Sequence, residues 1–136
     1  MKDAAAGAYG RSRWISFVFV CLAWLFVGCI VIQTFLAGAA IFDDPGRWSD
    51  HAAFVHLFEF VPILMLLFAF IGRLPNKVRW QTAALFVLIF AQYFTSHVQI
   101  AGALHPVLAL VLFWLSLSVA RQTARWTAAV GKGESR

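Results

Sequence analysis

An all-α, four-helix transmembrane bundle, running up-down-up-down, is the fold this sequence predicts, on three observations. Hydrophobic residues fill 62% of the 136 positions and charged residues only 12%, far from a soluble average. The apolar residues gather into four long runs, each close to the roughly 20 residues needed to cross a hydrocarbon core about 30 Å thick. Ten of the eleven basic residues then fall into alternate connections and the two ends of the chain.

Residues 1–13 form a short polar tail with Lys2, Arg11 and Arg13. The first helix, about 14–42, is uncharged and over-long, about 43 Å at 1.5 Å per residue, so it must tilt or project from the bilayer. Asp43-Asp44-Pro45-Gly46 breaks it, Trp48 is an interfacial anchor, and Ser49 or Asp50 can cap the second helix. That helix spans about 51–72 and ends at Gly72-Arg73-Leu74-Pro75-Asn76. The third spans about 78–98, and a turn near Gln99-Ile100-Ala101-Gly102 leads to the fourth, about 103–121, where Pro106 suits a first turn. The transmembrane domain is thus 14–121, and 122–136 is a second polar tail.

Orientation rests on the basic residues. The amino-terminal tail, the second connection (Arg73, Lys77, Arg79) and the carboxy-terminal tail (Arg121, Arg125, Lys132, Arg136) lie on one side, and the positive-inside rule puts that side in the cytoplasm. Both termini are expected inside. The pI near 9.9 comes from this asymmetry, so it does not argue for nucleic-acid binding; the basic tails suit anionic lipid headgroups. Phe26-Val27-Gly28-Cys29 resembles a lipoprotein cleavage box, but the apolar run continues past it, which favours an uncleaved anchor. Cys21 and Cys29 are about 12 Å apart along one helix and cannot bridge each other there.

The candidate site is the set of histidines. Counting from the basic end of each helix puts His56, His97 and His105 at one depth, about 24–27 Å from the inner boundary. Glu59 and Gln92 share a level roughly 5 Å deeper. His56 and Glu59 are three apart and share a helix face. His51 points well away from His56, toward the interface or water. A two-hairpin repeat is also visible: Gln33-Thr34-Phe35 followed by His56, and Gln92-Tyr93-Phe94 followed by His105, with its axis along the membrane normal.

Polar or ionisable groups within spans are a functional-site hypothesis by default. They also serve as packing groups, because interhelical hydrogen bonds are common and each is worth about 0.6–2 kcal/mol. Two readings stay open. In one, a b-type haem sits between helices near the outer face as an electron-transfer or redox accessory module. A b-type haem needs two neutral imidazoles facing each other in an apolar pocket. His56 and His105 are then the axial ligands to iron, and His97 is a substitute. Gln33, Gln92 and Glu59 support them, Phe35, Phe94, Phe60 and Phe54 wall the ring, and Arg47 or Trp48 meets propionates. A quinone or a periplasmic redox protein would be its partner. In the other, the bundle is a non-catalytic accessory subunit or a small-solute or proton carrier, able to oligomerise, with the histidines as packing or relay groups. A zinc or iron site at His56, Glu59, His97 and His105 is a further option, although His-x-x-Glu is the reverse of the usual ligand order. Nucleophile motifs, phosphate loops and Cys-x-x-Cys are absent, so catalysis has little support in the sequence.

Two resemblances bear on these alternatives. Gln33-Thr34-Phe35-Leu36-Ala37-Gly38, Trp48, His51, His56 and Gly72-Arg73-Leu74-Pro75, with Gln92, His105-Pro106, Phe113-Trp114 and Ala120-Arg121, resemble uncharacterised small four-helix bacterial membrane proteins. That likeness implies a multi-pass protein of the bacterial inner membrane. More distantly, each hairpin is similar to those of haem A synthase, whose four-helix halves hold haem between paired histidines. This implies haem b between His56 and His105. The chain has one such unit and no Glu on its first helix, so the likeness does not extend to haem modification.

Overall fold

The computed structural model describes residues 2–133, and side-chain surroundings within residues 13–129. Among the described residues every regular element is helical: α1 (Lys2–Phe42), α2 (Trp48–Phe58), α3 (Val61–Ile71), α4 (Asn76–His97) and α5 (Leu104–Gly133). Single 3₁₀ turns at Pro45–Arg47 and Gln99–Ala101 make the two tight connections at the distal end. Because α2 and α3 are two halves of one kinked rod, the chain has four helices.

The helices outrun their predicted bounds. α1 begins at Lys2 and α5 continues to Gly133, so most of both polar tails is helical. Three segments, Arg13–Phe42, Pro45–Ile71 and Leu104–Ala129, are long and apolar enough to cross a membrane. α4 has 22 residues but is interrupted by Gln81, Gln92 and three threonines and serines, and falls outside that set.

The predicted continuous second helix breaks at Glu59–Phe60. Pro62 has no amide hydrogen, so the carbonyl of Phe58 loses its usual i+4 donor and the rod bends there. The break divides the packing. α3 packs on both α1 and α4, whereas α2 packs on α1 and has no comparable contact with α4 or α5. α1 with α5, and α4 with α5, close the other sides. The distal half of the bundle is therefore open between α2 and α4.

Burial has the pattern of a bundle in an apolar solvent. Trp14, Phe17, Phe35, Leu57, Leu110 and Trp114 are 62–77% exposed, an extent of apolar surface that water would penalise heavily. Inside, Phe19, Phe26, Met65, Leu74 and Leu85 are fully buried beside small residues, Ala23, Ala69 and Ala120. The buried hydroxyls of Thr82, Thr95, Ser116 and Thr123 donate to carbonyls of their own helix at 2.8–2.9 Å. Such back-bonding satisfies a hydroxyl where there is no water.

The α3–α4 turn is held by close approach. Leu74 N donates to the Ala69 carbonyl at 3.0 Å, Arg73 takes a left-handed φ of 50°, and the side chain of Leu74 is 1% exposed. Gly72 packs on α1 so closely that an added Cβ would lie 2.8 Å from Ile15 Cγ2 and 2.9 Å from the Phe68 carbonyl. We therefore expect Gly72→Ala to destabilise the detergent-solubilised protein by about 1–3 kcal/mol in thermal or denaturant unfolding. Ile15→Ala in the same chain should restore part of the loss, and an unchanged midpoint for the single variant would contradict the packing.

Candidate functional site

The distal half encloses a cavity of about 410 Å³ between α1, α2, α4 and α5. All four histidines line it. His51 is included, so its predicted orientation toward interface or water is corrected: Nδ1 of His51 reaches the Gln33 carbonyl at 3.0 Å and its ring lies half-buried.

The contact is half of a reciprocal pair. Gln33 Nε2 donates to the His51 carbonyl at 2.9 Å, while His51 Nδ1–H donates back to the Gln33 carbonyl. The second hairpin repeats it. His105 Nδ1 lies 3.1 Å from the Gln92 carbonyl, and Gln92, with its amide turned so that both ends are satisfied, donates to the His105 carbonyl at 3.1 Å. The same amide nitrogen lies 3.0 Å from Nδ1, and the backbone carbonyl, which can only accept, decides the tautomer. Gln92 Oε1 accepts from Ala109 N at 2.8 Å. Thr95 Oγ1 stands 3.3 Å from the same Nδ1. In both histidines Nδ1 is thus the anchored, protonated nitrogen, which leaves Nε2 with its lone pair.

These contacts correct the repeat. The residue equivalent to His105 is His51, not His56. In that register most of the cavity lining pairs off: Ile30 with Ile89, Gln33 with Gln92, Ala37 with Ser96, Ala52 with Pro106, Val55 with Ala109. The rings of His51 and His105 meet edge to face across the pseudo-twofold, 6.5 Å between centroids with planes inclined by 63°. Trp48 stands edge-on to His51 at 5.6 Å. Gln33 Oε1 is buried without a partner among the described residues.

His56 does something else. Its side chain is 63% exposed, and Nδ1 lies 3.3 Å from both Glu59 Oε1 and the Tyr93 hydroxyl. Tyr93 donates to Glu59 Oε2 and so ties α4 to the kink of the second rod. The predicted shared face of His56 and Glu59 is present. Glu59 and Gln92, placed at one level by counting, belong to different networks. His97 sits at the rim, its Nδ1 2.8 Å from the Tyr93 carbonyl and 3.0 Å from Ser96 Oγ.

The remaining expectations divide. Phe35, Phe60 and Phe94 are 60–69% exposed and face outward, and Phe54 packs on Phe58, so none of the four walls the cavity. Arg47 pairs with Asp43 at 3.1 Å. Neither Ser49 nor Asp50 caps α2; Asp44 instead caps the 3₁₀ turn by accepting from Gly46 N at 2.8 Å. Among the described residues no group of three or more His, Cys, Asp or Glu comes together to hold a metal ion, so the four-ligand zinc or iron option has no geometry behind it. His51 and Tyr93 are the site residues that counting missed. Their signal is the Gln-Thr and Gln-Tyr pairs of the repeat, each followed across its turn by a histidine in an early helical turn.

Comparison with known proteins adds one likeness. Residues 33–96, from the first Gln of the repeat through the second rod to the end of α4, are similar to a family of unknown function, DUF6220. No curated protein and no solved structure matches the chain. Nothing in these comparisons links it to haem A synthase or to a cytochrome.

The Tyr93–Glu59 bond spans the one side of the distal bundle that helix packing leaves open. A double-mutant cycle over Tyr93→Phe and Glu59→Gln, read by unfolding in detergent, should give a coupling of about 0.6–2 kcal/mol. Additive single effects would mean that the bond contributes nothing.

Proposed function

We propose that this chain is a four-span membrane protein holding one b-type haem in the distal cavity, as an electron-transfer or redox accessory module. The observation that carries the reading is the equivalent pair His51 and His105. An imidazole nitrogen binds a first-row metal at about 2.0–2.1 Å, so two imidazoles on opposite sides of one ion have centroids roughly 6 Å apart. The separation of 6.5 Å is close to that. Histidine ligands commonly donate their other N–H to a carbonyl, which fixes tautomer and ring direction, and both residues do so here.

His51 and His105 would then hold the haem iron, in place of His56 with His105. The cavity falls in the range of about 300–1,000 Å³ usual for ligand sites. Aliphatic side chains, Ile30, Val55, Ile89 and Leu112, supply the apolar walls. Bound there, haem would supply one-electron chemistry, and the chain would contribute the two imidazoles, the carbonyls that aim them and the exclusion of water.

We place both termini in the cytoplasm of a bacterial cell, the rods running up-down-up-down and α4 crossing with the other three. The positive-inside asymmetry supports this, and it puts the cavity near the periplasmic face. A second reading has its own support: every histidine Nδ1 already has a protein partner, as a bundle with purely packing histidines would require.

Two measurements decide. Detergent-purified protein made with ample haem should show a Soret band that His51→Ala and His105→Ala each abolish and His56→Ala and His97→Ala retain. A folded, colourless preparation that takes up no added haemin would leave the packing reading. For topology, Ser49→Cys should react with a membrane-impermeant maleimide in intact cells and Asn76→Cys only after lysis; the reverse pattern would invert the orientation.

A further inference from the structure

The cavity is built on a pseudo-twofold, but one of its sides breaks the symmetry. In the register of the two Gln–His pairs, Tyr93 corresponds to Thr34, His56 to Leu110, and Glu59 to Phe113. On the Thr34 side the hydroxyl is turned back on its own helix, to the Ile30 carbonyl at 2.9 Å, and α1 and α5 pack closely. On the Tyr93 side α2 stands away from α4, and the three polar groups meet in the gap. A polar triad that served only to hold helices together would be expected where helices touch. This one lies at an opening, beside exposed Leu57 and Phe60, with His56 63% exposed.

We propose that the triad His56–Glu59–Tyr93 is a binding site for the ring of a lipid-soluble 1,4-hydroquinone entering sideways between α2 and α4. The proposal deepens the haem reading by naming a ligand, and rests on that reading only for why such a ligand would be held beside the cavity; it concerns binding, not a redox step. Glu59 takes the Tyr93 hydroxyl on one oxygen and faces His56 Nδ1 with the other. With Nδ1–H donating to that carboxylate, Nε2 of the 63% exposed His56 is left as an acceptor, and a hydroquinone hydroxyl is its complementary donor. The apolar remainder of the ring and its tail would lie against Leu57, Phe60 and the bilayer. An anionic lipid headgroup suits the gap poorly, since it would bring acid against Glu59. Because His56 and Tyr93 also line the main cavity, a ring held there sits at the mouth of the space between the two equivalent imidazoles.

The test is photolabelling of the full chain in lipid nanodiscs with a diazirine-tagged hydroquinone, competed by a short-chain 1,4-hydroquinone and mapped by peptide mass. Specific, competed label is expected on residues 56–60 or 93–97, at least tenfold lower in the Glu59→Gln/Tyr93→Phe double variant. Tyr93→Phe alone, which keeps the ring, should lower it several-fold and serves if the double variant fails to elute as a folded species. Label that is not competed, that maps elsewhere, or that persists in folded variants overturns the site. The assay needs no haem, so a colourless preparation that labels specifically ends the haem reading and leaves this one standing. A haem-loaded preparation that does not label does the opposite.

Discussion

The distal half of the molecule depends on one interaction made twice, the exchange of hydrogen bonds between a glutamine on an entering helix and a histidine on the returning one. Each exchange joins a helix interior to the first turns of the next helix and gives the glutamine amide and the imidazole N–H partners that they would otherwise need water for. Gln33 and Gln92 thereby fix the register of α2 against α1 and of α5 against α4. The same bonds fix which nitrogen of each imidazole is protonated. Packing and imidazole tautomer are thus set by one device. The cavity lies between these two tied corners, at a level lined largely by alanine and β-branched residues.

Much of this was legible in the sequence. Four helices, and the gathering of Gln33, Gln92 and His105 at one end of them, follow from run lengths and spacing. What spacing does not give is that His51, rather than His56, makes the contact equivalent to that of His105. Counting along the axis ranks residues by depth, and by depth His56 matches His105. It carries no information on how a helix is rotated about its own axis. That rotation is set by the Gln33 carbonyl, a backbone group with no sequence signature, and it turns His51 inward and leaves His56 at the gap.

The kink was legible in principle and passed over. Pro62 sits inside an otherwise continuous apolar run, and apolar content alone gives no reason to stop a helix there. Its missing amide frees the Phe58 carbonyl and separates the rod into α2 and α3. The tails erred in the other direction: their polar composition suggests coil, yet α1 and α5 carry their helical hydrogen bonding on toward both ends of the chain. The role of Tyr93 is not legible because its partner Glu59 lies at that kink on another helix, and a contact made at a bend cannot be read from spacing on either helix.

The kink also explains why a symmetric scaffold has an asymmetric mouth. Were the second rod straight, α2 would continue the contact that α3 makes with α4, as α5 does along α1, and both sides of the cavity would be sealed. Bending at Glu59 withdraws the distal segment from α4 alone. The residue at the bend is then the one whose side chain can reach back across the gap, and it is a carboxylate held by a tyrosine and a histidine. A bend closed with apolar side chains would be easier to accommodate in lipid, where an acidic group at depth is costly. That cost falls on one side of the pseudo-twofold only, where Leu110 and Phe113 occupy the equivalent positions without it, so the acid is not a requirement of the scaffold.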